Sequence, residues 1–421
     1  MKQKLSVLII LILLFSASCG DKNDIEPTEE PGFDVEYTEE TIFIEDENAI
    51  IAADTASQTY TLKGSSFSKK PSAGEVILVS GQIMRKVSSV SEDGDNYKIK
   101  TTDAALTDVI KNGTISWDIS PEWSEVSALK VDGMRVMNLE GQLRSGAIEH
   151  TISSGGVDHK IVINPELSEG KINACTFTLQ MAKKIAGKAT VAFTAEGKVK
   201  LPKQKTSIRI KDGELQNFTA NNEGISADMT LSLSAAGGTS GEHSLKLPGV
   251  ALSIPIRFIP TPGGPVPLPI PVSIDIGIQF VSQITIVDAK SSATASSKIS
   301  MSADAGFEYK GTTVSTSGSL GKEQITDGTF DSAANIGFPI DVQFGVAFPR
   351  VGLNIAGQEL AYVHTGFTTG SSLNWGPLCK KGYVKMVVEG GYELKVLGQT
   401  LAEQKKVFVE RQKEAKGDGC P

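Results

Sequence analysis

Apolar and polar residues alternate along much of this chain, and that pattern predicts a mainly β protein. The alternation is clearest at 190–194, 198–201, 207–210 and 228–234, where successive side chains would point to opposite faces of a sheet. A sustained period of 3.6 residues, which would indicate helices, is scarce. Frequent glycine and an aromatic content of only 6% agree with this assignment. We therefore expect antiparallel sheets and few helices.

The pattern first predicts a small β domain over residues 41–118. Its clearest strands flank Asp93-Gly94, a dipeptide typical of tight hairpin turns. One short helix is expected over 106–110, where apolar residues take a helical spacing before a glycine. The stretch 74–113 resembles a module of large, poorly characterised bacterial surface proteins. That resemblance implies no active site.

Beyond this domain the strands become longer. Residues 119–135, with Pro121 and Trp123, form the expected junction. Residues 136–421 are then predicted to be a larger, antiparallel, sheet-rich region. No fixed repeat period is present, so the pattern does not favour a regular β-solenoid.

The most unusual part of that region is a Pro-rich apolar segment, 248–281. Within it, over 265–272, four prolines alternate with four aliphatic residues, so a strand would place all the prolines on one side. Proline donates no backbone hydrogen bond, which predicts an edge strand or a polyproline-like arm. One interpretation is an apolar finger that meets a membrane, a hydrophobic ligand or a protein partner. The other is a buried connection whose prolines prevent edge-to-edge aggregation.

A second motif predicts a hairpin that brings two histidines together. With Ser154-Gly155 as the turn, His150 would lie opposite His159 on an apolar face. On the other face Glu149 would lie opposite Lys160. The two imidazoles are weak candidates for a metal site, because no carboxylate or cysteine shares their face locally. A packed pair at the sheet margin is favoured, without metal or cofactor.

The N-terminus has the three parts of an export signal. Lys2 and Lys4 give a positive start, residues 5–15 are apolar apart from one serine, and small residues lead into Cys19. This apolar run is too short to cross a bilayer, so residues 1–18 are predicted to be a cleaved signal peptide. Small residues directly before a cysteine resemble a lipobox. That resemblance implies that the cysteine thiol is acylated, becomes the mature N-terminus and holds the protein at a membrane.

An acidic segment, 19–40, follows that cysteine. Its residues 21–40 hold nine acidic side chains against one lysine, and the resulting charge of −8 equals the formal net charge of the whole chain. Such a segment is predicted to be a flexible, extended tether. Acidic residues soon after a lipidated cysteine resemble the signal by which Bacteroidetes send lipoproteins to the cell surface. The resemblance implies a lipid anchor at the cell outer membrane, with surface exposure as a further expectation.

After export, the three other cysteines would lie in an oxidising compartment, where disulfides form. Three cysteines can form at most one intramolecular disulfide. Cys379 and Cys420 flank the last segment, and they are the preferred pair because their bond would tie the C-terminus down. Cys175 lies in an alternating stretch with Phe177 and Leu179 and is predicted to be a buried thiol.

Catalytic, cofactor and nucleic-acid motifs are absent from the sequence. It contains no His-Glu-x-x-His, no Gly-x-Ser-x-Gly and no phosphate-cradling Gly-rich loop. No basic stripe supports nucleic-acid binding. Trp117 and Trp123 could form a sugar-stacking platform, although isolated tryptophans near a domain junction are more often core residues.

These observations favour a lipid-anchored cell-envelope protein with a binding, adhesion or structural role rather than an enzyme. Its expected partners are the membrane, through lipid on Cys19, and a glycan, a protein or a hydrophobic ligand. Two alternatives stay open. The first is a carrier of a hydrophobic ligand, or a membrane-contacting protein, that uses segment 248–281. The second is a hydrolase whose site assembles only in three dimensions.

Overall fold

Strands make up 73% of the structure, a computed structural model, and helical residues 6%, so the predicted mainly β fold is confirmed. The elements all lie in one unit, Pro31–Pro421. The structure describes residues 30–154, 157–185, 189–236, 241–244, 249–286, 292–311, 313–320, 324–326, 340–374, 379–398 and 404–416.

The first elements in chain order are β1 (Gly32–Tyr37), β2 (Thr41–Ile44), β3 (Ile50–Asp54), β4 (Thr59–Lys63), β5 (Val76–Val79), β6 (Ile83–Asp93), β7 (Asn96–Asp103), α1 (Leu106–Val109) and β8 (Ile110–Ile119). The next strands are β9 (Ala128–Val131), β10 (Met134–Asn138), β11 (Ile148–Ser154), β12 (Val157–Ser168), β13 (Lys171–Ile185), β14 (Ala189–Lys200), β15 (Lys203–Lys211), β16 (Glu214–Ala236) and β17 (Gly241–Ser244). The last strands are β18 (Val250–Thr261), β19 (Gly264–Ile286), β20 (Ser292–Lys310), β21 (Thr313–Leu320), β22 (Gln324–Thr326), β23 (Ile340–Ile355), β24 (Gln358–Asn374), β25 (Cys379–Tyr392) and β26 (Gln404–Lys416). Short 3-10 turns occupy Gly64–Ser66, Trp123–Glu125, Gln142–Ser145 and Leu394–Leu397.

A small sheet of six strands forms the N-terminal part, in the order β2-β5-β6-β7-β4-β3. The predicted hairpin is confirmed, because Asp93 pairs with Asn96 around Gly94, whose φ of +60° suits a residue without a side chain. The predicted short helix is α1. In the described part of the chain, no helix is long and apolar enough to cross a membrane.

Strand β5 of the small sheet is buried on both faces. Ile77 and Val79 pack on one face within a core of their own. Val76 and Leu78 point to the opposite face and join the main core of the molecule. The alternation along β5 therefore connects the small sheet to the rest of the fold.

A large sheet of eleven described strands follows the order β1-β8-β15-β16-β14-β13-β12-β11, with β20 on the other edge of β16 and with β21 and β22 paired to β20. Strands β15 and β14 pair with successive parts of the same edge of β16. A second large sheet of nine described strands follows the order β10-β9-β18-β19-β23-β24-β25-β26, with β17 on β19. Every described pairing within these two sheets is antiparallel.

The main core lies between the two large sheets. Phe177 of the eleven-stranded sheet meets Phe348 of the nine-stranded sheet edge-on, with 5.6 Å between ring centroids. The Phe348 ring also lies against Gly197, where a side chain would clash. Trp123 closes this cluster, 6.4 Å from Phe177. Rings packed in this way bury large apolar areas, so these contacts hold the sheets together.

The predicted tether, 19–40, includes β1, and this part of the expectation is corrected. Phe33, Val35 and Tyr37 alternate with acidic residues and pack against the main core, while Asp34 and Glu36 face solvent. The high charge of the segment hid this strand pattern. Because β1 pairs with β8, the folded part begins at Gly32.

Candidate functional site

The candidate site is the outward face of the nine-stranded sheet, which we name the polar face. Along β23, Val351, Leu353 and Ile355 point into the core, so Arg350 and Asn354 point to the opposite face. The same alternation acts in the neighbouring strands. The polar face comprises Lys130, Ser253, Ser273, Asp275, Arg350, Asn354, Glu359, Tyr362, His364, Glu389 and Lys405.

Strand register brings these side chains into three neighbouring rows. The first row is Lys130, Ala251, Gly277, Arg350, His364 and Glu389. The second row is Ser253, Asp275, Gly352, Tyr362, Gly391 and Lys405. The third row is Ser273, Asn354 and Glu359. Large polar residues stand beside glycines in these rows, so their side chains can lie across the sheet.

Two glycines make room for that arrangement. A Cβ on Gly391 would lie 2.7 Å from the Tyr362 ring and hydroxyl, and a Cβ on Gly352 would lie 2.6 Å from Glu359 Oε1. Both distances are too short for real contacts. Tyr362 and Glu359 therefore occupy space that only glycine leaves open.

Arg350 is the centre of the polar face. Its guanidinium donates two hydrogen bonds to Glu359, the one from Nη2 to Oε2 measuring 2.6 Å. It also lies 4.2 Å from the centre of the Tyr362 ring, in a cation–π contact. Burial is the largest single influence and acts to lower the pKa of Arg350, but the hydrogen bonds and charge of Glu359, together with the charges of Tyr362 and Asp275, raise the pKa above its ordinary value. The forked pair fixes the positions of both side chains.

His364 also stacks on Tyr362, with ring centroids 5.7 Å apart and nearly parallel planes. Its Nε2 lies 2.9 Å from Glu389 Oε1. Burial, together with the positive charges of Arg350 and Lys405, lowers the pKa of His364 to about 4. The imidazole is neutral at pH 7, and the short distance assigns its proton to Nε2. Nδ1 is then a buried acceptor, and no described residue gives it a hydrogen bond.

A second polar group lies on the same face, around Asp275. Lys130 Nζ donates to both carboxylate oxygens of Asp275, at 3.1 and 2.8 Å. Ser253 and Ser273 hydroxyls donate to Oδ1, at 2.7 and 3.3 Å. Nearby, Asn354 is only 7% exposed, and its Nδ2 has no hydrogen-bond partner among the described residues. A buried donor without a partner costs free energy that a ligand can recover.

Two depressions connect these groups. One has a volume of about 320 Å³ and is lined by Lys130, Asp275 and Asn354, among others. The other has a volume of about 220 Å³ and is lined by His364 and Tyr362, among others. Arg350 and Glu359 line both. The polar face is therefore one continuous surface with two recesses.

The chemistry of this surface suits a neutral polar ligand. Lys130 and Arg350 are each bonded to a carboxylate, so neither presents an unopposed charge to an anion. Among the described residues, no group of three His, Cys, Asp or Glu side chains could hold a metal ion. Part-buried donors and acceptors remain, and they can exchange hydrogen bonds with hydroxyl groups.

The predicted histidine pair is corrected. Ser154 pairs with Val157, which shifts the register by two residues, so His150 lies opposite Ile161 and His159 lies opposite Ile152. The two imidazoles share a face but are diagonal neighbours. His159 is fully buried. The arrangement therefore lacks the direct juxtaposition on which a metal site at His150 and His159 depended.

The opposite-charge pair expected on the other face of this hairpin is present. Lys160 Nζ lies 2.9 Å from Glu149 Oε2, although Glu149 pairs with Val162 in the backbone register. Diagonal neighbours on a sheet are within reach of long side chains, which explains why the ion pair tolerates the shift.

The aromatic and thiol candidates are core residues. Trp117 and Trp123 are both buried, which rules out a sugar-stacking platform and confirms the core interpretation. Trp117 Nε1 donates to Gln204. Cys175 is a free, fully buried thiol, as predicted. Burial, assisted by the charge of Glu166, raises its pKa to about 12, which keeps the thiol unreactive.

Two predicted sites involve residues that the structure does not describe. Cys19 lies outside the described residues, so its acylation stays a prediction. Cys379 begins β25, opposite Asn374, but Cys420 lies outside the described residues. The disulfide between Cys379 and Cys420 therefore also stays a prediction.

The Pro-rich segment divides into a buried and an exposed part. The aliphatic residues of both arms lie in the core, including Leu252, Ile254, Ile274 and Ile276. In β19, no described strand pairs with the second edge of residues 264–271, which agrees with the expected edge position. The buried interpretation holds for the arms, but not for the turn region between them.

Sequence reasoning missed the whole polar face. The sequence signal for this face was present in β23, where Arg350, Gly352 and Asn354 alternate with aliphatic residues. Glycine and a charged residue on the same face of a strand indicate space for a large side chain from a neighbouring strand. The neighbouring strand itself could not be identified from the sequence.

Comparison of this chain with protein-family models, with curated proteins and with solved structures found no match.

Proposed function

We propose that this protein is a lipid-anchored, non-enzymatic binding protein of the bacterial cell envelope, and that the polar face binds a neutral glycan. The acyl chain on Cys19 would hold it at the outer membrane, with the folded part carried beyond a short acidic tether. This proposal joins the N-terminal signal in the sequence with the surface chemistry of the nine-stranded sheet.

The observation that carries the binding site is the pair of unsatisfied atoms at the recesses. Asn354 Nδ2 is a donor without a partner and His364 Nδ1 is an acceptor without one, both within the described residues. They lie on either side of the Arg350–Glu359 pair, one in each recess. Sugar hydroxyls both donate and accept, so a saccharide offers a partner for groups of both kinds.

The charge pattern supports a glycan over an anionic ligand. Arg350 is held in a fork by Glu359, and Lys130 is bonded to Asp275. An anion would have to break one of these pairs and leave a part-buried carboxylate unopposed, which is costly. A neutral polyhydroxylated ligand leaves both pairs intact.

A hydrolytic role gains no support from the same residues. His364 Nδ1 receives no hydrogen bond, and Nε2 is occupied by Glu389, so within the described chain the imidazole does not activate a hydroxyl or thiol. The polar face therefore supports binding better than catalysis.

Glycan binding is tested with the intact, detergent-solubilised protein on an array of neutral oligosaccharides: maltodextrins, cellodextrins, xylans and mannans. We expect binding to at least one class. Glu359→Gln removes the charge that holds Arg350, and should weaken that binding by about tenfold, the usual effect of losing one charge-assisted hydrogen bond.

The matched control is Glu149→Gln, since Glu149 also belongs to an ion pair, with Lys160, but lies on the other large sheet. This variant should bind as the unmodified protein does. A protein that binds none of these glycans, or whose binding falls equally in both variants, would contradict the proposed site.

The anchor is tested separately by mass spectrometry of the protein purified from its own cells. We expect a mass that lacks residues 1–18 and includes acyl chains, and an uncut precursor in Cys19→Ser. Protease treatment of intact cells then reports surface exposure. An uncut and unmodified N-terminus in the natural protein would overturn the anchor without affecting the glycan result.

A further inference from the structure

The hairpin between β18 and β19 ends in a tip, residues 258–267, that is exposed on one face and that the proposed glycan site does not use. Its arms are held in the core, where Ile254 and Ile274 pair with each other and are buried. The register then shifts, so that Ile256 pairs with Val272 but Phe258 pairs with Pro267. Beyond this irregularity Phe258 and Pro260 are exposed, while Ile259 between them stays buried in the main core.

The tip presents an apolar and uncharged surface to solvent. Phe258 is 56% exposed, and Pro260, Pro265 and Pro267 are exposed beside it. From Phe258 to Ile274 the chain contains no charged residue. An exposed surface of this kind gains free energy when an apolar partner removes it from water.

The prolines of the tip restrict what that partner can be. Pro260, Pro262, Pro265 and Pro267 have no backbone N–H, so the edge of the tip offers few donors to an added strand. This disfavours a protein partner that would extend the sheet. In lipid, a backbone N–H without a hydrogen-bond partner costs free energy. Proline has no backbone N–H, so the prolines of the tip avoid this cost and favour a lipid environment.

The tip also lies close to the point where the tether enters the fold. A cavity of about 540 Å³ is lined on one side by residues 118–121 and on the other by the tip, including Phe258. Strand β1 enters beside the first of these elements, with Gly32 opposite Ser116. Twelve residues, 20–31, lie between Cys19 and Gly32, and a chain of that length can span about 40 Å at most.

We infer that the hairpin tip lies against the bilayer that holds the acyl chain, and inserts Phe258 at the boundary between headgroups and acyl chains. This inference rests on the lipid anchor of the proposed function, because the anchor brings the tip within reach of the surface. Arg257 and Glu140 form an exposed ion pair at the base of the tip, where the apolar surface ends and a charged pair can stay in water. The protein would then have two membrane contacts, the acyl chain and the tip, and a fixed orientation.

The test places a fluorescent reporter at the tip. Full-length, processed Phe258→Trp protein is mixed with vesicles of phosphatidylethanolamine and phosphatidylglycerol that also contain phosphatidylcholine brominated near the headgroup. Emission is compared with that of the unmodified protein, whose own tryptophans provide the background. We expect the added emission to shift to the blue and to be quenched by the brominated lipid.

The matched control is Ile51→Trp, because Ile51 is 51% exposed on the small sheet and lies outside the tip. Its emission should be insensitive to the brominated lipid. A second variant, Phe258→Glu in protein expressed without residues 1–19, should bind vesicles about tenfold or more weakly than the same protein with Phe258, the effect of no longer burying one phenylalanine.

Mass spectrometry of the same samples separates this inference from the anchor. If an excess of the brominated vesicles does not quench the added emission of the Phe258→Trp protein, the tip contact is overturned. This holds whether or not the protein carries an acyl chain. Quenching in protein that carries no acyl chain keeps the tip contact and overturns the anchor. A blue shift that depends on protein concentration and occurs without lipid would show that a second copy covers the tip, and would also overturn the inference.

Discussion

At the scale of single residues, His364 makes stability depend on pH. Its pKa in the folded protein is about 4, against an ordinary value of 6.5, because burial disfavours the charged imidazole. Between these values the unfolded chain binds more protons than the folded one. The stabilisation from neutral His364 is therefore complete above pH 6.5 and is lost as the pH falls towards 4.

We expect His364→Gln to remove this dependence. Glutamine can still donate to Glu389 but does not titrate, so the fall in the free energy of unfolding from pH 7 to pH 4 should become smaller by about 1–3 kcal/mol. Urea denaturation at several pH values measures it. Identical profiles for the natural protein and His364→Gln would contradict the assignment of a buried, neutral imidazole.

At the scale of elements, the hairpin arms of β18 and β19 should carry much of the stability. Ile274 is fully buried between the large sheets. Ile274→Ala removes apolar contacts and leaves a cavity, so the free energy of unfolding should fall by about 2–4 kcal/mol. Ile51→Ala, at an exposed position, should change it by about 0.5 kcal/mol or less. Equal losses in the two variants, measured by urea denaturation, would show that the arms are not part of the core.

Elements also mark the limit of what the sequence could predict. Strand alternation gave the mainly β class and the β6–β7 hairpin, because both depend on neighbouring residues. It could not give the register of the hairpin that holds His150 and His159, since a shift of two residues keeps every side chain on the same face. Only the tertiary contacts of His159, now buried, decide between the two registers.

The polar face could not be predicted from the sequence for a related reason. The Arg350–Glu359 pair is local, within one hairpin, but Lys130 and Asp275 meet only because β9, β18 and β19 are neighbours in the sheet. Strand order across such distances in sequence depends on how the whole core packs. A pattern of alternating residues therefore shows which side chains share a face of one strand, but not which strands lie beside it.

At the scale of the whole molecule, a count of reactive cysteine thiols tests the lipid anchor, the disulfide and the burial of Cys175 together. Cys19 should be blocked by lipid, and Cys379 should be bonded to Cys420. Cys175 is buried, with its pKa raised to about 12, so it is protected in the folded protein. Only unfolding should expose a reactive thiol.

Natural, processed protein treated with a thiol reagent should therefore show no reactive group when folded and a single one in denaturant without reductant. Addition of a reductant in denaturant should release two more, from the predicted disulfide. Cys175→Ala should remove the first signal and leave the other two. Three thiols in denaturant before reduction would contradict the disulfide, and a fourth would contradict acylation of Cys19. Because a disulfide needs an oxidising compartment, the same count tests export of the folded chain.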